Sequence, residues 1–351
     1  MNFEEFIIYA RENHASDIHM TVGAPTVFRI NGELVRFNEM SEQVVNRTIL
    51  AMLTAEQEKR LTEGEDIDFT FQLTNGARQR VNVYRQSGKL AATIRLLNQN
   101  IPTLEELGIP PVISELAKKR RGLILVTGPT GSGKTTTLAS IINYINQTRA
   151  CHILTIEDPI EYKYEPNMAT IHQREIGKDV PNFDYALRSA LREDPDVILV
   201  GEMRDFETIS LALTASETGH LVLATLHTTG AAQTIDRIID ACPPSSKEQV
   251  RAQLASILEG VVSQVLIPTK EGKNRAAAVE ILIGTDAVRN LIRSNKDHQL
   301  ASAMQQGMRQ GMCTLSDSIA TMVKRDKITK QSALEFCSDK EEMLKLISPG
   351  Y

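Results

Sequence analysis

Residues Gly128-Pro-Thr-Gly-Ser-Gly-Lys-Thr135 follow directly on the apolar run Leu123-Ile-Leu-Val126 and lead into an amphipathic stretch from Thr136 to Asn146. Strand, glycine loop and helix in that order form a cradle for nucleotide phosphates, because glycine-rich backbone turns its N–H groups inward and the helix adds its positive end. Lys134 brings a full positive charge, and Thr135 places a hydroxyl where Mg²⁺ needs an oxygen ligand. Gly128, Gly131 and Gly133 are expected to keep side chains away from the approaching phosphates, with Thr130, Ser132 and Thr136 completing the binding set. The alternative is a glycine-rich turn that merely spells the motif.

A chain of 351 residues exceeds what one core usually reaches, so two domains are expected. No stretch approaches the ~18 uninterrupted apolar residues of a membrane span. The amino terminus, Met1-Asn-Phe-Glu-Glu5, lacks the basic segment of a secretory signal, so export is not expected. Cys151, Cys242, Cys313 and Cys337 are scattered and form no Cys-x-x-Cys pair, which fits packed, reduced thiols better than a disulfide framework or a zinc ribbon. A net charge of −5 gives no general attraction to polyanions, and nucleic acid is not expected as a partner.

Before a break around Asn98–Pro111, Val27–Ile30, Asp66–Phe71, Arg80–Tyr84 and Ala92–Leu96 alternate apolar and polar residues at strand period. Asn31-Gly32, Asn75-Gly76 and Ser87-Gly88 punctuate them, and helical spacing covers about Phe3–Glu12 and Glu42–Leu61. This predicts a small α+β domain. The break contains three prolines and a glycine and reads as a linker. About ten such residues span up to ~33 Å when extended, enough for a hinge between the domains.

After the linker, Leu123–Val126, His152–Ile156, Val197–Val200, Leu221–Leu226 and Ala278–Ile283 are mostly continuous apolar runs. Such runs between helical segments suit a parallel sheet buried on both faces, whose ligands gather at the carboxyl ends of the strands. From about residue 286 onward the pattern is helical. At the predicted strand ends stand Glu157, Asp158 and Glu161, then Glu202, then His227, while His220 precedes the strand that ends at His227. Glu202 is the candidate general base, suited to orienting a water in line with a terminal phosphate. The bland alternatives are caps and ion pairs for the acids and packing for the histidines. Arg188 and Arg192, four apart, are expected on one helix face, for ion pairing or for contact with phosphate or another subunit.

The loop GPTGSGKT, the box TIEDPIEY (Thr155–Tyr162), the segment ALRSALREDPDVILVGEMRD (Ala186–Asp205) and the box TGHLVLATLHT (Thr218–Thr228) together resemble the secretion-ATPase superfamily, and within it the type IV pilus retraction ATPases, over nearly the whole chain. The resemblance implies an α/β fold with a PAS-like amino-terminal domain (1–98), a linker (99–111) and a RecA-like ATPase domain (112–351) with a helical carboxyl-terminal part from about 286. It implies a Mg²⁺-dependent ATP hydrolase acting as a homohexamer. The expected setting is the cytoplasmic face of the inner membrane, where an inner-membrane pilus platform protein is the partner. It assigns Glu161 as the aspartate-box carboxylate, Glu202 as the catalytic glutamate, and His220 and His227 as the histidine pair. Glu161 and Glu202 would reach Mg²⁺ through water, and Arg80 and Arg95 would act on the nucleotide.

Ala287–Ser294, AVRNLIRS, resembles a signature of the retraction family, with valine for isoleucine and Ser294 for glutamate. That segment also reads as an amphipathic helix with Val288, Leu291 and Ile292 inward. No additional amino-terminal domain or tetracysteine motif of the extension and secretion motors is seen. An accessory retraction motor, a secretion-type motor and a nucleotide-gated scaffold without turnover are the alternatives.

Overall fold

Strand-period alternation in the first hundred residues builds a sheet with one face covered by helices. In the computed structural model, residues 3–348 are described apart from 31, 38, 39, 98, 99 and 273, so Asn31 of the first turn and the start of the linker lie outside the described residues. The chain divides into two compact units, Met1–Asn100 with Glu161–Lys163, and Ile101–Ile160 with Tyr164–Tyr351.

The smaller unit runs α1 (Phe3–Glu12), β1 (Ala15–Thr21), β2 (Val27–Ile30), β3 (Glu33–Arg36), α2 (Glu42–Leu50), α3 (Ala55–Thr62), β4 (Ile67–Gln72), β5 (Arg78–Gln86) and β6 (Lys89–Leu96). The strands pair antiparallel in the order β3-β2-β1-β6-β5-β4. Phe6, Ile7 and Ala10, spaced to share one helix face, join Ile18, Met20, Ile49, Val81, Val83 and Ile94 in its core. The helical stretch expected over Glu42–Leu61 is two helices. Thr54 starts the second with a capping box, its hydroxyl accepting from Gln57 N while Gln57 Oε1 accepts from Thr54 N. That reciprocal pair satisfies N–H groups which a continuous helix would have bonded internally.

The larger unit begins inside the proline-rich segment. There Leu104 and Ile109 are buried, and the Ser140 hydroxyl donates to Pro102 O at 2.6 Å. It continues with α4 (Val112–Ala117), β7 (Gly122–Thr127), α5 (Lys134–Thr148), β8 (His152–Glu157), β9 (Thr170–Glu175), α6 (Phe183–Ala190), β10 (Val197–Val200), α7 (Phe206–Glu217), β11 (Leu221–Leu226), α8 (Ala231–Asp240), α9 (Lys247–Ile257), β12 (Leu258–Pro268) and β13 (Arg275–Ile283). The sheet order is β13-β12-β7-β11-β10-β8-β9. From β12 across to β9 every pairing is parallel, and β7, β10 and β11 are buried at every position. Continuous apolar runs therefore mark strands covered on both faces, as the sequence predicts.

Two departures follow from chain geometry. The run Ala278–Ile283 is not part of the parallel set: β13 pairs antiparallel with β12 as a hairpin, and so closes one edge. Arg192 lies past the Leu191 cap of α6, so it does not share a helix face with Arg188. The carboxyl-terminal part is helical as expected, with α10 (Asp286–Arg293), α11 (Leu300–Gln306), α12 (Leu315–Lys324), α13 (Lys330–Phe336) and α14 (Lys340–Ile347). Among the described residues no helix is long and apolar enough to cross a membrane.

Candidate active site

Parallel pairing brings the carboxyl ends of β7, β11, β10 and β8 to one edge of the larger sheet, and the phosphate loop leaves from β7 there. Gly133, at φ 88°, ends the loop as the N-cap of α5, with no side chain capping that helix terminus. Lys134 Nζ donates to the carbonyls of Gly128 at 2.8 Å and Pro129 at 3.1 Å. Ser132 Oγ is buried without a hydrogen-bond partner. An ammonium group, a helix start without a side-chain cap and an orphaned hydroxyl suit an anionic ligand.

The glycines divide the work differently from the expectation. A β-carbon on Gly128 (φ 142°) would lie 2.2 Å from Gln264 O and 2.6 Å from Ser132 Oγ, and one on Gly133 would lie 3.0 Å from Gln264 Nε2. At Gly131 nothing lies within 4 Å. Gly128 and Gly133 thus make room for β12, and only Gly131 faces open space. Thr130 and Gly131 are exposed, while Thr135 and Thr136 are half-buried in the first turn of α5. Among the described residues no group of three or more His, Cys, Asp or Glu side chains is placed to hold a metal. A divalent ion that takes one hydroxyl and the phosphates of its nucleotide fits what Thr135 offers.

Glu202 stands just beyond β10, on a loop stitched to β11: Thr225 Oγ1 donates to Gly201 O, and Met203 N donates to Thr225 O at 3.1 Å. Its carboxylate meets Arg204 Nη2 at 2.8 Å and His227 Nε2 at 3.2 Å. The other imidazole nitrogen, His227 Nδ1, is 3.3 Å from Lys134 Nζ. An ammonium has no lone pair to offer, so Nδ1 accepts, Nε2 carries the proton, and that proton is donated to Glu202. Lys134, His227, Glu202 and Arg204 therefore form one hydrogen-bonded chain from the phosphate loop to the end of β10. Burial opposes ionisation of Glu202. The hydrogen bonds from Arg204 and His227, with the charge of Arg204, outweigh it and hold the carboxyl below its ordinary value.

The other acids separate. Glu157 is buried and accepts from Thr155 Oγ1 at 2.6 Å and Gln173 Nε2 at 3.2 Å, which ties it into the β8–β9 end. Asp158 is exposed, and Glu161 belongs with the smaller unit. His220 does not join the constellation. It precedes β11 at the opposite edge of the sheet, where its carbonyl accepts from Gly122 N and its Nδ1 lies 2.9 Å from Ala215 O at the end of α7. The six residues of β11 put about 20 Å between it and His227.

In the smaller unit Arg80 and Arg95 are direct cross-strand partners on β5 and β6. Each is matched with an acid, Arg80 with Asp68 at 2.6 Å and Arg95 with Asp17 at 2.9 Å. On α10, Val288 and Ile292 are fully buried and Leu291 partly so, as the amphipathic reading expects. Arg289 is consumed by internal anchoring to Glu259, Gly284 O and Ser256 O, whereas Arg293 and Ser294 are exposed.

Sequence reading overlooked the supports of these loops. Ser263 on β12 accepts from Gly230 N at 2.8 Å and Glu280 on β13 accepts from Ala231 N at 2.7 Å, which fixes the turn after His227. The available signal was Ser263-Gln264, a polar pair inside the apolar run Val261–Ile267.

Comparison with known proteins agrees with this construction. Over 337 residues the chain is 46% identical to the type IV pilus retraction ATPase PilT of Pseudomonas aeruginosa, covering 95% of this chain and 98% of that protein. Over 319 residues it is 48% identical to a twitching motility protein of Neisseria gonorrhoeae, covering 90% and 85%. A crystal structure of the pilus retraction motor PilT with bound ADP superposes with a TM-score of 0.89 at 45% identity, covering 97% of this chain and 98% of that one. The larger unit is accordingly a RecA-like ATPase fold. Since residues 3–335, which carry the phosphate loop, Glu202 and His227, also match the model of the type II/IV secretion system proteins, the chain belongs to that family.

Proposed function

We propose that this chain is an ATP hydrolase that drives type IV pilus retraction. In this reading it works as a homohexameric ring at the cytoplasmic face of the inner membrane, against the pilus platform protein. The observation that carries the chemistry is the hydrogen-bonded chain Lys134–His227–Glu202, which joins the group that holds phosphate to the group that handles water.

Lys134 and the N–H groups at the start of α5 bind the β- and γ-phosphates. Glu202 orients a water in line with the γ-phosphorus and receives its proton as the new P–O bond forms. The bond to the β-phosphate oxygen breaks, and ADP leaves with that electron pair. His227, which touches both Lys134 and Glu202, reports whether the γ-phosphate is present. Thr135, with Glu161 and Glu202 through water, would hold Mg²⁺, which would supply positive charge to neutralise the phosphates. Arg80 and Arg95 supply positive charge to the transferred group. The cycle changes the disposition of the two units, and that change is the work delivered to the pilus.

Lys134→Ala is expected to weaken ADP binding about 10- to 150-fold, as for loss of a charged hydrogen bond worth about 1.5–3 kcal/mol. Calorimetry on the purified protein checks this, and unchanged affinity would refute the phosphate role. A retraction-deficient deletion strain complemented with the same variant should remain non-twitching. Phosphate release that is indistinguishable between wild type and Lys134→Ala would instead favour a scaffold without turnover.

The pH dependence follows from Glu202. Its pKa is lowered in the folded state, so it is ionised above the ordinary carboxylate value, and activity falls only as pH drops through the lowered pKa. Arg204→Ala removes a cation but leaves the burial, so the acid limb of kcat/KM should move to higher pH. The shift should be modest, because the Arg204 side chain is 70% exposed and screened by solvent. A profile that does not move would show that Arg204 plays no part in tuning the carboxylate.

A further inference from the structure

One buried amide stands behind the phosphate loop. Gln264 on β12 is 1% exposed; its Nε2 donates to Ser132 O, and its Oε1 accepts from Thr137 Oγ1 on α5 at 2.8 Å. The orientation of that amide is dictated by its neighbours. A carbonyl only accepts, so the NH₂ end must face Ser132, which leaves the oxygen for the Thr137 hydroxyl. Register explains why it is there: Ser263 pairs with Thr127, the last residue of β7, so the next residue on β12 stands beside Gly128 as the loop departs.

We propose that Gln264 is a positioning residue for nucleotide binding, setting the direction of the Ser132–Gly133 peptide in the phosphate loop. In a planar trans peptide the N–H points opposite to the C=O. Fastening the Ser132 carbonyl to Gln264 on the β12 side therefore turns the Gly133 N–H away from β12, to the side on which an anion meets the loop. Only glycines at 128 and 133 let β12 come close enough, since a β-carbon at either position would crowd Gln264. The loop is thus preorganised by its neighbour strand as well as by its own glycines, which lowers the cost of ordering it when phosphate arrives. This inference rests on the reading of residues 128–135 as a nucleotide site.

Gln264→Met keeps the side chain's length and apolar contacts but cannot donate to Ser132 O. It is expected to weaken ADP binding about 10-fold by calorimetry, and to raise KM for ATP about as much while kcat falls less than about threefold. Thr137→Val breaks the same cluster from the helix side and leaves the donor to Ser132 in place. It should lose comparable thermal stability yet bind ADP within about twofold of wild type. Two results would overturn the proposal: Gln264→Met binding ADP as tightly as wild type, or Thr137→Val losing as much affinity as Gln264→Met. Wild-type protein that binds no ADP would sink the underlying nucleotide reading instead, which keeps the two failures apart.

Discussion

Glu202→Gln is expected to lower phosphate release about 10²- to 10³-fold while ATP affinity stays within about threefold, the range for removing a positioned base. The replacement preserves size but alters the chain it sits in. Glutamine has one acceptor oxygen where glutamate has two. If that oxygen faces Arg204, the amide N–H₂ opposes the Nε2 proton of His227; if it faces His227, the amide opposes the guanidinium. His227 cannot escape by moving its proton to Nδ1, because that nitrogen accepts from Lys134. One neighbour must therefore let go, and both the charge and the alignment of the water are lost. Single-turnover hydrolysis with saturating ATP separates the rate from binding, and a wild-type rate would remove Glu202 from the mechanism. Arg204→Ala serves as the control. It disturbs the same contact but keeps the carboxylate, so it should retain most of the rate at neutral pH.

Arg80→Ala is expected to reduce kcat by about 10³-fold with a much smaller change in nucleotide affinity, because a cation at the transferred phosphoryl group acts mainly when charge spreads over its oxygens. Arg80 is the cleaner of the two arginines to test. Its partner Asp68 has a side chain 44% exposed, so losing the pair costs little stability. Arg95 is different, since its partner Asp17 is only 10% exposed and would be left with the 2.8 Å hydrogen bond from Ser16 but without its countercharge. Arg95→Ala therefore mixes folding and rate. The register adds a reason to expect function. Arg80 and Arg95 are directly opposite on adjacent strands, an arrangement of like charges that is unfavourable in a sheet without compensating anions. Asp68 and Asp17 supply that compensation here, and the phosphates of a nucleotide are anions of the kind that can replace them. Equal losses in binding and rate for Arg80→Ala would argue against a role confined to the transition state.

Much of this molecule was legible from local pattern. The period of two in Val27–Ile30 and Ala92–Leu96, and the continuous runs at Leu123–Val126 and Leu221–Leu226, report how many faces of a strand are buried, which is a property of each segment by itself. The glycine loop with Lys134 announces its chemistry for the same reason, since its donors are its own backbone and one adjacent side chain. Glu202 and His227 stand out because each lies within two residues of the end of an apolar run, at a strand's carboxyl end.

The break at Thr54, the antiparallel turn of β13 and the helix end before Arg192 were harder to see. Each depends on a cap or a pairing that competes with the local period. His220 shows the limit most plainly. It flanks the same strand as His227, yet a strand has two ends, and the two histidines stand at opposite ones.

By itself, then, the order of residues determined that a phosphate-binding loop, a buried parallel sheet and a smaller alternating sheet would form, because hydrophobic period and glycine placement act over a few neighbours. Only the tertiary structure decided that β12 lies against β7, and with it that Gln264 grips Ser132, that Gly128 and Gly133 are needed for strand contact, and that Lys134 reaches Glu202 through His227. Most of those contacts join residues far apart in the chain, 132 positions for Gln264–Ser132 and 93 for Lys134–His227. Their energies come from hydrogen bonds and close packing that exist only once strand order and register are set, so no local pattern can encode them.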